Sequence, residues 1–114
     1  MSIEFEDLSE HLRLIKISGR LDILGTQEIA TKFTALACAE NRRVVVDLTG
    51  VSFLASIGIR ELITNAKALQ RRGGKMTLFI GNNEAVIKTL EATGIDALLP
   101  MFTDLEQGTE AALS

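Results

Sequence analysis

Apolar and polar positions change rhythm several times along the chain, and each change marks an element. Ile3 and Phe5 alternate with Glu4 and Glu6, and after the polar link Ser9-Glu10-His11 the run Leu12-Arg13-Leu14-Ile15-Lys16-Ile17 keeps a similar alternation. The two segments predict an antiparallel hairpin, ended by Gly19. Leu21-Asp22-Ile23-Leu24 reads as a strand end. A helix then starts at Gly25 or Thr26 and runs through Cys38, with Ile29, Phe33, Leu36 and Ala37 on one face. Asn41-Arg42-Arg43 turns the chain into Val44-Val45-Val46-Asp47-Leu48, a β-branched run too apolar to leave one face in water, as a central strand covered on both sides requires.

Thr49 to Ser56 reads as a loop carrying buried-type residues. A helix follows to about Arg72, with Ile59, Leu62, Ile63, Ala66 and Leu69 forming its buried stripe. Gly73-Gly74 stops it, and Met76-Thr77-Leu78-Phe79-Ile80 is a second continuous apolar strand. Strand, crossover helix and strand make a parallel βαβ unit. Gly81-Asn82-Asn83 leads into a helix from about Glu84 to Thr93, ended by Gly94. Ile95 to Phe102 holds the single proline, Pro100, beside a short edge strand, and Asp104 to Leu113 is a weaker helix interrupted by Gly108. Hairpin plus βαβ unit predicts an α/β fold with a mixed central sheet of four to five strands flanked by helices.

Composition narrows the function. The 114 residues fit one domain, 1–114, and 15 acidic against 12 basic side chains argue against binding nucleic acid by phosphate neutralisation. With one Cys, one His and no Trp or Tyr, neither a disulfide framework nor a Cys/His zinc site can be assembled. The acidic start lacks the basic and apolar regions of a signal peptide, and no stretch approaches the roughly 20 apolar residues of a membrane span. The expectation is a cytoplasmic protein of the binding or regulatory class, with no cofactor and no membrane insertion.

The candidate chemistry is sparse. Gly73-Gly74-Lys75 lacks phosphate-loop spacing and follows a helix instead of preceding one. Glu4 and Glu6 share an exposed strand face, Cys38 reads as a small core or helix-end residue, and His11 as a solvated link. Ser56 stands out, directly before a helix whose first turn is Ile57-Gly58-Ile59-Arg60. One reading makes it a plain N-cap, with Ile59 where a capping box would have Glu or Gln. The other makes it a phosphoacceptor, because a phosphate there would meet the positive end of the helix dipole beside apolar Leu54, Ile57 and Ile59. One hydroxyl can serve both.

The chain resembles the STAS domains, and within them the small bacterial anti-sigma-factor antagonists. The resemblance runs through Gly19-Arg20-Leu21-Asp22, the segment Val44 to Leu54, Ser56 with Gly58, the Gly73-Gly74 stop, and Leu90-Glu91-Ala92-Thr93-Gly94-Ile95. It implies a STAS-like single domain that is not an enzyme and that docks an ATP-binding anti-sigma serine kinase. The kinase phosphorylates the first serine of an Asp-Ser-Ser/Thr-Gly motif to end the interaction, and a PP2C-like phosphatase restores it. That serine falls on Ser56 and the glycine on Gly58, while Ala55 and Ile57 replace the aspartate and the second hydroxyl residue. Thr49, Ser52, Leu54, Ile57, Gly58, Ile59 and Glu61 are the expected docking surface. The alternative is a STAS scaffold or accessory subunit of a signalling or transport complex, with no phosphoryl switch.

Overall fold

A computed structural model describes residues 2–114 as a five-stranded sheet with helices on both faces. β1 (Ser2–Asp7) and β2 (Leu12–Leu21) form the expected hairpin, with Ile3 opposite Ile17 and Phe5 opposite Ile15. β2 then pairs in parallel with β3 (Arg43–Leu54), β3 with β4 (Lys75–Phe79), and β4 with β5 (Met101–Phe102). Strand order therefore follows chain order, and the sheet is mixed only at its β1 edge.

The alternation of β3 distributes its side chains to two layers. Val44, Val46 and Leu48 join the larger core with Ile15, Ile17, Phe33, Leu62, Leu69 and Leu78, under α1 (Ile23–Ala37), α2 (Ser56–Arg71) and α3 (Glu84–Thr93). Val45 faces the other way with Leu12, where α4 (Leu105–Leu113) closes the sheet through Ala112. Covering on both faces is why Val44-Val45-Val46 are all fully buried. A short 3-10 turn, Ile95–Ala97, joins α3 to the segment before β5.

Four expectations change in the structure. Gly19 does not end the hairpin: it sits inside β2 at φ 102°, next to register shifts against β3, so its left-handed backbone forms an irregularity in the strand. Ile23 and Leu24 belong to the first turn of α1, because the Asp22 carboxylate accepts the Gly25 N–H at 2.8 Å and starts the helix at Ile23. The segment from Thr49 to Leu54 is strand, paired through Leu54 with β2, with only Ala55 between it and α2. Gly108 does not interrupt α4; its buried position lets the Thr77 hydroxyl donate to the Gly108 carbonyl at 2.9 Å and fastens the helix to β4.

Candidate functional site

Leu21 and Leu54 are partners in the parallel pairing of β2 and β3, and each is followed within two residues by a helix. The first turns of α1 and α2 therefore emerge side by side from one edge of the sheet. Ala55 ties them together by donating its N–H to the Leu21 carbonyl at 2.9 Å. Ser56 is the first residue of α2, and Ala55 holds the N-cap position, whose methyl side chain accepts nothing. This corrects the capping reading of Ser56. Its side chain is exposed and forms no hydrogen bond with the described residues. The Ala55 carbonyl accepts the N–H groups of Gly58 at 3.0 Å and Ile59 at 3.1 Å, so the remaining first-turn amides face outward beside the Ser56 hydroxyl.

The expected docking residues divide between surface and support. Thr49 and Ser52 are exposed, and Ile57 and Glu61 are half-buried. Leu54, Gly58 and Ile59 are buried and hold the surface from beneath. Gly58 is explained by packing within the molecule: a Cβ there would lie 2.9 Å from Leu54 Cδ1, 3.1 Å from Leu21 Cβ and 3.2 Å from the Leu21 carbonyl oxygen. Only glycine allows α2 to settle this close on β2. Thr49 lies five residues before Leu54, which at about 3.3 Å per residue is roughly 17 Å back along β3. Its N–H and hydroxyl both bond the buried Asp47 carboxylate, at 2.8 and 2.7 Å. Glu61 faces its own helix, accepting from Asn65 Nδ2 at 3.1 Å.

Sequence patterning missed the apolar part of this edge. Ile23 is 62% exposed and Leu24 71%, in the first turn of α1, and Phe53 is 40% exposed on β3 with the Arg20 guanidinium 4.5 Å above its ring. Arg20 also reaches Asp22 at 3.4 Å. A strand assignment hid Ile23 and Leu24. The usable signal was Asp22, a good cap three residues before Gly25.

No group of three or more His, Cys, Asp or Glu side chains that could hold a metal occurs among the described residues. His11 is exposed in the hairpin link, and Glu4 and Glu6 lie on the exposed face of β1. Burial pushes the Cys38 thiol above its ordinary range, with Arg72 pulling weakly the other way, and its Sγ donates to Asn65 Oδ1 at 3.5 Å. That is a packed thiol, not an activated nucleophile. No helix among the described residues is long and apolar enough to cross a membrane.

Residues 3–108 match the model of the STAS domain family. The Anti-sigma-B factor antagonist of Staphylococcus aureus (strain NCTC 8325 / PS 47) is 25% identical over 96 residues, covering 84% of each chain. Among solved structures, an anti-sigma factor antagonist from Mycobacterium paratuberculosis superposes with a TM-score of 0.86 at 21% identity, over 99% of this chain and 94% of its own. The Bacillus cell fate determinant SpoIIAA in its phosphorylated form superposes at 0.63 with 17% identity, over 93% and 96%. With the mixed five-stranded sheet, the α1/α2 edge and a family match spanning nearly the whole sequence, the chain belongs to the STAS domain family.

Proposed function

We propose that the chain is an anti-sigma factor antagonist whose α1/α2 edge docks an anti-sigma serine kinase, and that phosphorylation of Ser56 ends the interaction. The observation that carries this reading is the exposed, unbonded Ser56 hydroxyl at the start of α2, next to the exposed Ile23 and Leu24 of the neighbouring helix. Exposed apolar side chains grouped at one edge favour contact with another protein. The antagonist names of the matched relatives, and the phosphorylated state of one of them, support the same reading.

In the transfer, the γ-phosphoryl of kinase-bound ATP passes to Ser56 Oγ. A new P–O bond forms, the bond to ADP breaks, and the hydroxyl proton leaves to a base on the kinase. ATP and magnesium come with the kinase, and this chain contributes the nucleophile and its position. Hydrolysis by a PP2C-like phosphatase returns the hydroxyl and releases inorganic phosphate. The added charge of about −1.5 to −2 sits at the positive end of α2, so the fold accommodates it, while the docking surface becomes hostile to an apolar partner.

The test is phosphosite mapping by mass spectrometry after incubation with the cognate kinase and ATP. Transfer to Ser56 is expected; transfer elsewhere, or none with a proven cognate kinase, removes the assignment. A second reading, a scaffold or accessory subunit without the switch, is favoured by Ala55 and Ile57 at the two positions where the family motif has polar residues. Pull-down separates the two: Ser56→Asp weakens partner capture at least tenfold under the switch and leaves it unchanged under the scaffold reading.

A further inference from the structure

A cleft of about 310 Å³ opens at the opposite end of α2, between that helix, the start of β4 and the segment Leu98-Leu99-Pro100. It is remote from Ser56: eleven residues separate Ser56 from Lys67, roughly 17 Å along a helix at about 1.5 Å per residue. Ile63, Ala66, Lys67 and Gln70 follow the i, i+3, i+4, i+7 spacing of one helix face and form its wall. Its interior is apolar, from Ile63, Ala66, Met76 and Leu99, and Leu98 stands at its mouth 64% exposed.

Two features give the cleft a polarity. The first is the β4 edge. Lys75 N–H donates to the Arg42 carbonyl in β4's ladder with β3, whereas the N–H groups of Leu78 and Ile80 point the other way, to the Pro100 and Phe102 carbonyls. The alternation turns Met76 N–H toward the β5 side, but β5 begins only at Met101, opposite Leu78. Met76 is 3% exposed as a residue, and its N–H makes no backbone bond to the segment Leu98-Leu99-Pro100. A backbone donor that faces the cleft can bond an acceptor placed there. The second is charge. Among the described residues the lining includes Arg43, Lys67 and Lys75 and no carboxylate. Arg43 is engaged with the Ala112 and Ser114 carbonyls and Lys75 with the Ser114 hydroxyl, which leaves Lys67, exposed on α2, to meet a ligand.

From the cation, the cleft-facing donor and the apolar interior we infer that this cleft binds a small amphipathic carboxylate, a medium-chain acyl anion. The carboxylate accepts from Met76 N–H and Lys67, and the chain lies along Ile63, Ala66 and Leu99. The wall from Ile63 to Gln70 spans seven rises of about 1.5 Å, or roughly 10 Å, the length of about eight to ten carbons. The volume lies at the small end of ligand sites, which run from about 300 to 1,000 Å³.

The experiment is a two-dimensional amide NMR titration of the full chain with sodium decanoate below its micellar concentration. Saturable shifts centred on Met76, Leu98 and Leu99 are expected. Each methylene buried strengthens binding by up to roughly fourfold, so octanoate should bind about tenfold more weakly. Lys67→Glu, an exposed change that spares the fold, should weaken decanoate at least tenfold. Equal binding of decyltrimethylammonium, an unchanged affinity in Lys67→Glu, or shifts centred on Ile23 and Leu24 would each overturn the inference. So would concentration-dependent shifts of the cleft amides without decanoate, accompanied by a doubled hydrodynamic mass, which would assign the cleft to a second copy of the chain. None of these readouts involves the kinase, so they stand apart from the docking proposal.

Discussion

α1 and α2 leave the same edge of the sheet from paired strands, yet they start in opposite ways. Asp22 caps α1 with a side-chain oxygen that accepts the Gly25 N–H, and Asn83 and Asp104 do the same for α3 and α4 with the N–H groups of Val86 and Glu106. Of these four α-helices, only α2 begins without a side-chain cap. Its start is fixed instead by backbone, through Ala55 N–H on the Leu21 carbonyl, and by close packing at Gly58. The contrast shows how a helix end can be held in place while its outward amides stay uncommitted. A carboxylate at position 55 would engage those amides, as Asp22 does at the start of α1. Alanine leaves the positive helix end without a side-chain partner.

If each helix start depends on what holds it, the largest loss should follow removal of the cap with the most partners. Besides capping α3, Asn83 donates its Nδ2 to the Leu48 and Val51 carbonyls at 3.0 and 2.7 Å and so braces β3 on its way to Ser56. Asn83→Ala is expected to cost about 3 kcal/mol, the sum of a lost cap and two carbonyls left without a partner. Urea unfolding measures it, and a loss near zero would mean that β3 is not braced there.

At α2 the equivalent hold is steric. Gly58→Val should cost about 2 kcal/mol, because the added carbons must displace Leu54 or lift the helix from Leu21, only partly offset by better helix propensity. A neutral result in the same unfolding measurement would break the claim that packing replaces capping.

Supplying the missing cap should act in the other direction. Ala55→Asp is expected to stabilise the protein by about 1 kcal/mol, since position 55 already has the extended backbone of an N-cap, at φ −91° and ψ 168°. Because it also restores the aspartate of the family motif, the same variant should be phosphorylated at Ser56 no more slowly than the native chain in a kinase assay.

The smallest effect is a difference in pH response. The Gly25 N–H, with help from Arg20, holds the Asp22 carboxyl below its ordinary value of 3.8. Its folded pKa being depressed, its contribution is complete above the unfolded pKa and is lost as pH falls from about 4 through the folded value. Asp22→Asn should flatten this acid limb in thermal unfolding scans between pH 2 and 5. Ala55→Asp should steepen it, because α2 would then carry a titrating cap as α1 does.

Much of this was legible in the chain because the relevant forces are local or periodic. The unbroken apolar run of β3, the buried stripe of α2 and the glycine stops at Gly73 and Gly94 depend on neighbours within a few residues, and hydrophobic periodicity records them. Gly94 does adopt the left-handed cap expected, at φ 71°. Two of the errors fell where β2 meets β3. Gly19 reads as a stop and the stretch from Thr49 to Leu54 as a loop, because polar and glycine residues break the alternation. Pairing of Ser18 with Gly50 and Arg20 with Phe53 makes strand of them all the same, with Gly50 allowing the close approach to Ser18.

Ser56 shows the same division at the site. Its residue type and its place at a helix start were evident from sequence, but whether it caps the helix or projects from it depends on one residue of register, and the Ala55–Leu21 bond between strands sets that register. Sequence alone determined which residues could be buried and where helices must stop, since burial pattern and backbone preference are written locally. The tertiary structure decided which faces remain open. Ile23, Leu24 and Phe53 are as apolar as the core, and only the packing of the rest of the chain leaves them outside.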